Sequence, residues 1–183
     1  MKKLLFVLVL SILITGLIFA QASSNSGGRV TADPQTPGTA QGNPADALAS
    51  AAAAISFAAP YSITGGDRLT LIAQRLWGDY RLWPAIWAVN SGSLPDPDLI
   101  EPGAALRVPQ RLGTGPLTME EKNLLLGAYV AAYKQYKSFG AARTNNARWV
   151  LYEAAMFFDA ASAQPYVSQV DPADIAWLQL VLR

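Results

Sequence analysis

Three of the chain's five tryptophans lie in one stretch, GGDRLTLIAQRLWGDYRLWPAIWAVN (residues 65–90), which carries two helical periods separated by a single Gly-Asp break. Leu69, Ile72, Ala73 and Leu76 share one face of a helix expected over 68–77, with Asp67 at its N-cap position. Gly78-Asp79 ends it. A second helix is expected over 82–89, with Pro84 in its first turn, where a missing N–H costs nothing. Trp83, Ile86, Trp87 and Asn90 follow at helical spacing, so Trp83, Ile86 and Trp87 read as core. Tyr61 to Thr64 alternates into the Gly65-Gly66 turn as a short strand, and Ala105 to Val108, closed by Pro109, makes another. Between them, the loop from Ser91 to Gly103 is stiffened by Pro95, Pro97 and Pro102.

The flanks differ in kind. Residues 1–22 open with Lys2 and Lys3, run apolar from Leu4 to Leu10 and reach the small-x-small triplet Ala20-Gln21-Ala22, the three regions of a secretory signal peptide. The competing reading is an uncleaved anchor, because Leu4 to Ala20 approaches the roughly 20 apolar residues of a membrane span. From Ser23 to Ala45 the chain is Ser, Gly, Thr, Pro, Gln and Asn with almost no large apolar side chain, which reads as a tether of roughly 25 Å reach within a linker over 23–60. Ala45 to Phe57 has the alanine content of a short helix, marginal in isolation.

The strand–helix–helix–strand order, with its particular residues, resembles a LysM domain over 61–110. The residues that carry the likeness are Tyr61, Gly66-Asp67 with Leu69, Ile72-Ala73, Trp77-Gly78-Asp79, Leu82-Trp83 with Ile86, Asn90, the run Pro95 to Ile100, Pro102-Gly103 and Leu106 to Pro109. Arg68, Thr70 and Ala104 depart from the usual pattern. The resemblance implies binding of N-acetylglucosamine-containing glycans such as peptidoglycan, through the loops after the first strand and after the second helix. Carried onto this chain, the implied glycan-binding residues are Gly65, Gly66, Asp67, Arg68, Leu69, Asn90, Leu94, Pro95, Asp96, Asp98, Leu99 and Ile100. An acetamido sugar offers amide donors, acceptors and a methyl, so exposed backbone with an apolar floor from Leu94, Leu99 and Ile100 suits it. Asp96, Asp98 and Glu101 make an acidic loop that reads as solvated, with no metal expected. Small LysM-containing proteins associated with potassium sensing resemble the Trp77-Gly78-Asp79 and Pro97-Asp98-Leu99-Ile100 runs, which keeps a cation-binding protein open as an alternative.

Past Gly113-Thr114-Gly115-Pro116 the pattern turns helical over 117–183, with about three helices expected, so the fold class is α+β: a small βααβ domain followed by an all-α region. Thr118-Met119-Glu120-Glu121 is a capping box opening a helix that Gly140 ends. That helix bears two apolar stripes: Leu125, Tyr129, Ala132, Tyr136 and Phe139, then Leu126, Val130 and Tyr133. A second helix is expected over 146–161, and Asp171-Pro172-Ala173-Asp174 starts a third. Leu126-Gly127-Ala128-Tyr129 faintly resembles a tetratricopeptide hairpin, but a repeat array needs about three repeats to bury a continuous core. A region with so few charges must pack on something: the βααβ unit, a second copy, or another envelope protein.

Chemistry is bounded by what the chain lacks. It has no histidine and no cysteine, which removes the usual zinc ligand sets, thiol catalysis, the Ser-His-Asp arrangement and thiol lipidation. Glycosidase chemistry needs only carboxylates, and Glu153 sits mid-helix among apolar neighbours. The simpler reading is a structural Glu paired with Arg148 or a tyrosine hydroxyl. Without Lys2 and Lys3 the chain has 12 basic against 13 acidic residues and no basic cluster, so nucleic acid is not expected as a partner. The expectation is therefore a periplasmic or extracellular, wall-associated binder that is not an enzyme and needs no cofactor. Its C-terminal helices would recruit an envelope protein or self-associate, and a membrane would matter only if the leader is kept. The alternative is a structural adaptor whose fold does not bind glycan.

Overall fold

The computed structural model describes residues 56–111 and 115–183. The leader over 1–22, the tether, and all but the last two residues of the alanine-rich segment over 45–57 lie outside the described residues.

Two short strands, β1 (Tyr61–Ser62) and β2 (Ala105–Leu106), pair antiparallel with Tyr61 opposite Leu106 and Ser62 opposite Ala105. Pairing continues outward through Ala58 N–H to the Val108 carbonyl (3.0 Å) and Gln110 N–H to the Ser56 carbonyl (2.8 Å), so the unit reaches back into the segment assigned to the linker. Inward, Ile63 N–H donates to the Ala104 carbonyl (2.9 Å) while the Ile63 carbonyl accepts from Gly103 N–H (2.9 Å), a one-residue slip that ends the regular ladder at Ser62 and Ala105.

Helix α1 (Leu69–Trp77) starts at Arg68 without a side-chain cap. Asp67 was expected there, but its carboxylate turns back on the preceding turn and accepts from Thr64 N–H (2.8 Å), Thr64 Oγ1–H (2.8 Å) and Tyr61 O–H (2.9 Å). Three converging donors one turn upstream outweigh a single cap bond. Gly78, at φ 76°, closes α1 in the left-handed conformation that glycine adopts without strain. Asp79 then caps a 3-10 turn over Tyr80–Leu82 that feeds α2 (Trp83–Asn90).

Along α2, Trp83, Pro84, Ala85, Ile86, Trp87 and Asn90 are all buried. One helix face cannot bury all of these; α2 is covered by α1 on one side and by α3 (Met119–Ser138) on the other. The expected capping box of α3 is complete: Thr118 Oγ1 accepts from Glu121 N–H at 3.2 Å, and Glu121 Oε2 accepts from Thr118 N–H at 2.8 Å. The two stripes of α3 have separate tasks. Tyr129 donates to the Arg81 carbonyl (2.7 Å) and Tyr136 to Asp98 Oδ1 (2.8 Å), while Leu126 and Val130 line a small apolar cavity with Leu151, Ala155 and Leu178. Phe139, at the end of the first stripe, is left exposed.

The helical region holds more helices than the three expected. After a 3-10 turn at Ala141–Arg143, α4 (Thr144–Phe157) stops short of Ala161 because Phe158 goes extended (φ −113°, ψ 153°) and buries its ring edge-on against Tyr129. Asp159 then accepts from Ser162 N–H (2.8 Å) and restarts the chain as α5 (Ala160–Ala163), which runs into a 3-10 stretch over Gln164–Gln169. Helix α6 (Pro172–Val181) begins at Asp171, whose side chain accepts from Ala173 N–H. Asp174, 1 % exposed, joins α6 to α3 and α4 by accepting from Lys137 (2.8 Å), Arg148 (2.8 Å) and Tyr133 (3.0 Å). Burial alone would raise its carboxyl pKa; these three donors outweigh it and hold it below the ordinary value. No helix among the described residues is long and apolar enough to cross a membrane.

Because α3 covers an otherwise apolar α2, a fragment ending at residue 111 should expose Trp83 and its neighbours. We expect that fragment to melt without a cooperative transition and to bind a hydrophobic dye, whereas the chain through Arg183 melts in one step; differential scanning calorimetry of the two distinguishes these outcomes.

Candidate functional site

A groove of about 570 Å³ opens where the βααβ unit meets the helical region. One wall is the start of α1, with Arg68, Leu69 and Thr70, and the floor includes Pro97, Asp98 and Ile100 from the loop after α2. The opposite wall is helical: Tyr136 from α3, then Asn145, Asn146, Trp149 and Glu153 from α4. These α4 residues span a little over two turns on one side of the helix, at spacings of three, four and seven or eight.

The loop after α2 is held from the helical side. Arg143 donates to Asp96 Oδ2 at 2.7 Å and to Asp98 Oδ2, Asn146 Nδ2 donates to the same Asp98 oxygen at 3.0 Å, and Tyr136 takes Asp98 Oδ1. The acidic loop that read as solvated is thus paired at two of its three carboxylates, with Glu101 left exposed. On the other side, Asp79 accepts Arg81 in a two-pronged pair (2.9 and 2.7 Å), and the Arg81 guanidinium lies 4.8 Å over the Phe157 ring.

Glu153 is half-buried and accepts from the Trp83 indole N–H at 3.1 Å, linking α4 to α2. The expected partner, Arg148, is engaged with Asp174 on the far side of α4, and no tyrosine hydroxyl reaches Glu153 among the described residues. Burial raises the Glu153 pKa, and the indole hydrogen bond offsets part of that rise.

Of the residues singled out in the sequence, Arg68, Leu69, Asp98 and Ile100 line the groove. Gly65, Gly66 and Asp67 form the turn that delivers Arg68 to it, with Gly66 at φ 88°. Asn90 is buried: its Nδ2 donates to the Ile86 and Arg107 carbonyls (2.7 and 2.8 Å) and its Oδ1 accepts from Arg107 N–H (2.9 Å), which clips β2 onto α2. Leu94 is also buried, its carbonyl accepting from the Trp87 indole at 2.9 Å. Pro95 and Leu99 are exposed outside the groove lining, and Asp96 is held by Arg143. The α4 wall was not anticipated. Its signal is the polar and aromatic row Asn145, Asn146, Trp149, Glu153 at helical spacing, opposite the apolar row of the same helix.

No family model matches the chain. No solved structure matches it either. Among curated proteins, 50 residues of the chain are 36% identical to the potassium binding protein Kbp of Escherichia coli O6:H1. The match takes in 27% of this chain and 34% of that protein, so the chain spans about a third of the relative's length.

Two outcomes follow from these contacts. Arg143→Ala should release the loop, so that amide hydrogen exchange across 96–100 speeds up by at least ten-fold while α1 is unchanged; equal protection in both proteins would remove the clamp. Asp67 is held down to about 2 from its ordinary 3.8, chiefly by the Thr64 N–H. A depressed folded pKa stabilises above the unfolded value and is lost on acidification. The β1–α1 turn should therefore loosen between about pH 4 and pH 2, read by the chemical shift of Thr64 N–H, and an Asp67→Asn variant should lack that titration.

Proposed function

We propose that this chain is a non-catalytic cell-envelope protein that binds N-acetylglucosamine-containing glycan, peptidoglycan above all, through a LysM-type βααβ unit. The observation that supports this most is the convergence of the loop after β1 and the loop after α2 on one groove. Leu69, Pro97 and Ile100 contribute apolar lining, and Arg68, Thr70 and Asp98 add hydrogen-bonding groups beside it, a mixture suited to an acetamido sugar. The signal-like leader and the polar tether would place the folded part outside the inner membrane, in the periplasm or at the wall. The helices are packed on the βααβ unit, so recruitment of an envelope protein or a second copy would use faces left exposed, such as Leu180 and Val181 on α6.

The sequence comparison favours a second reading, in which the chain holds a cation, since the matched protein is a potassium binding protein. Arg143 engages both Asp96 and Asp98, which leaves the three groups one net negative charge to attract a cation, and backbone carbonyls would supply neutral oxygen ligands, as they do in potassium-selective filters.

Co-sedimentation of the chain Ser23 to Arg183 with insoluble peptidoglycan, beside thermal melts in KCl and NaCl at equal ionic strength, separates the two. The glycan reading expects the parent to pellet and an Arg68→Ala/Thr70→Trp variant, folded by circular dichroism, to stay soluble. Substitution at Gly66 is avoided because its left-handed backbone would strain any side chain. No pelleting together with a melting point raised by potassium over sodium supports the cation reading; neither effect leaves a structural adaptor.

A further inference from the structure

We propose that α4 supplies half of the ligand site: Trp149 is a stacking platform for a pyranose ring, and Asn146 and Glu153 are its polar partners, so that a short N-acetylated oligosaccharide is gripped between the βααβ unit and the helices. This rests on the glycan reading above.

Trp149 is 60% exposed, in a chain whose other described tryptophans are buried or half-buried. Its ring stands edge-to-face with Tyr152, centroids 5.3 Å apart and planes at 84°, which holds the indole before any ligand arrives. A platform already ordered loses little entropy on binding. One face of a pyranose is C–H and its rim is hydroxyl, so the ring needs an apolar plane with hydrogen-bonding groups beside it.

The groove provides that arrangement. Asn146 gives its Nδ2 to Asp98, while its Oδ1 has no hydrogen-bond partner among the described residues. Glu153 receives the Trp83 indole on Oε2, and its Oε1 likewise has no partner among the described residues. Acceptors of this kind suit the amide N–H and hydroxyls of an acetamido sugar. Asn145, exposed at the rim, adds a further amide. Charge narrows the ligand class. Glu153 and the paired Asp98 stand against Arg68, leaving no cationic cluster for a phosphate, whereas a neutral sugar meets no such penalty. At about 570 Å³ the groove lies within the roughly 300–1,000 Å³ of small-molecule sites, room for a few sugar rings and not for a folded partner.

The test is isothermal titration of the chain Ser23 to Arg183 with soluble N-acetylglucosamine oligomers, and co-sedimentation with peptidoglycan, for the parent, Trp149→Ala, Trp149→Phe and the Arg68→Ala/Thr70→Trp variant. The expected result is a loss of at least ten-fold in affinity for Trp149→Ala, a smaller loss for Trp149→Phe, and melting points equal to the parent's, because the indole is largely exposed. Oligomers and wall polymer tell a free sugar chain from a cross-linked one. If the parent and Trp149→Ala bind alike while the loop variant fails, the α4 platform is overturned and the two-loop reading stands. A parent that binds neither glycan removes both.

Discussion

Helix α2 has no polar face, and that constraint organises the molecule. Trp83, Ile86, Trp87 and Asn90 share one face of a helix of little more than two turns, and Pro84 and Ala85, which lie off that face, are buried as well, so α2 needs cover on more than one side. The βααβ unit supplies one cover through α1 and its short ladder. The other comes from α3, whose long apolar arc is wide enough to meet both α2 and the helix that follows α3. Burying a large apolar side chain stabilises by about 1.5–3 kcal/mol, so leaving the second side of α2 uncovered would forfeit several kcal/mol.

Once α3 is docked, polar contacts set its register on the βααβ unit. Tyr129 seeks the Arg81 carbonyl, Tyr136 and Arg143 take the carboxylates of the loop after α2, and Glu153 receives the Trp83 indole. Burial drives the pKa of Tyr129 and Tyr136 up, so both hydroxyls remain donors across the ordinary pH range. The groove is a by-product of that register: two loops and one face of α4 enclose space that none of them would enclose alone.

Much of the local structure was legible from spacing and punctuation. The apolar period over 68–77, Gly78 as a stop, Pro84 in the first turn of α2, the capping box at Thr118 and the Asp171-Pro172 start all depend on groups within one helical turn of each other. Interactions that cross the chain were less legible. Asp67 has the right chemistry for a cap, yet Thr64 and Tyr61 lie nearer to its carboxylate. Phe158 ends α4 because its ring is buried against Tyr129, a partner about thirty residues upstream that no local pattern names. Asp96 and Asp98 look like a solvated acidic turn until Arg143 is brought over them.

By itself the sequence determined the α+β order, the βααβ unit, the faces of its helices and the absence of histidine and thiol chemistry, because periodicity, glycine and proline act over a few residues and composition acts without geometry. Only the tertiary structure decided that Tyr129 of α3 reaches the turn before α2, that the carboxylates of the loop are already paired, and that Trp149 stands in a groove and not in the core. The physical reason is that helical spacing marks which residues share a face, whereas the chain's packing on itself decides what that face meets.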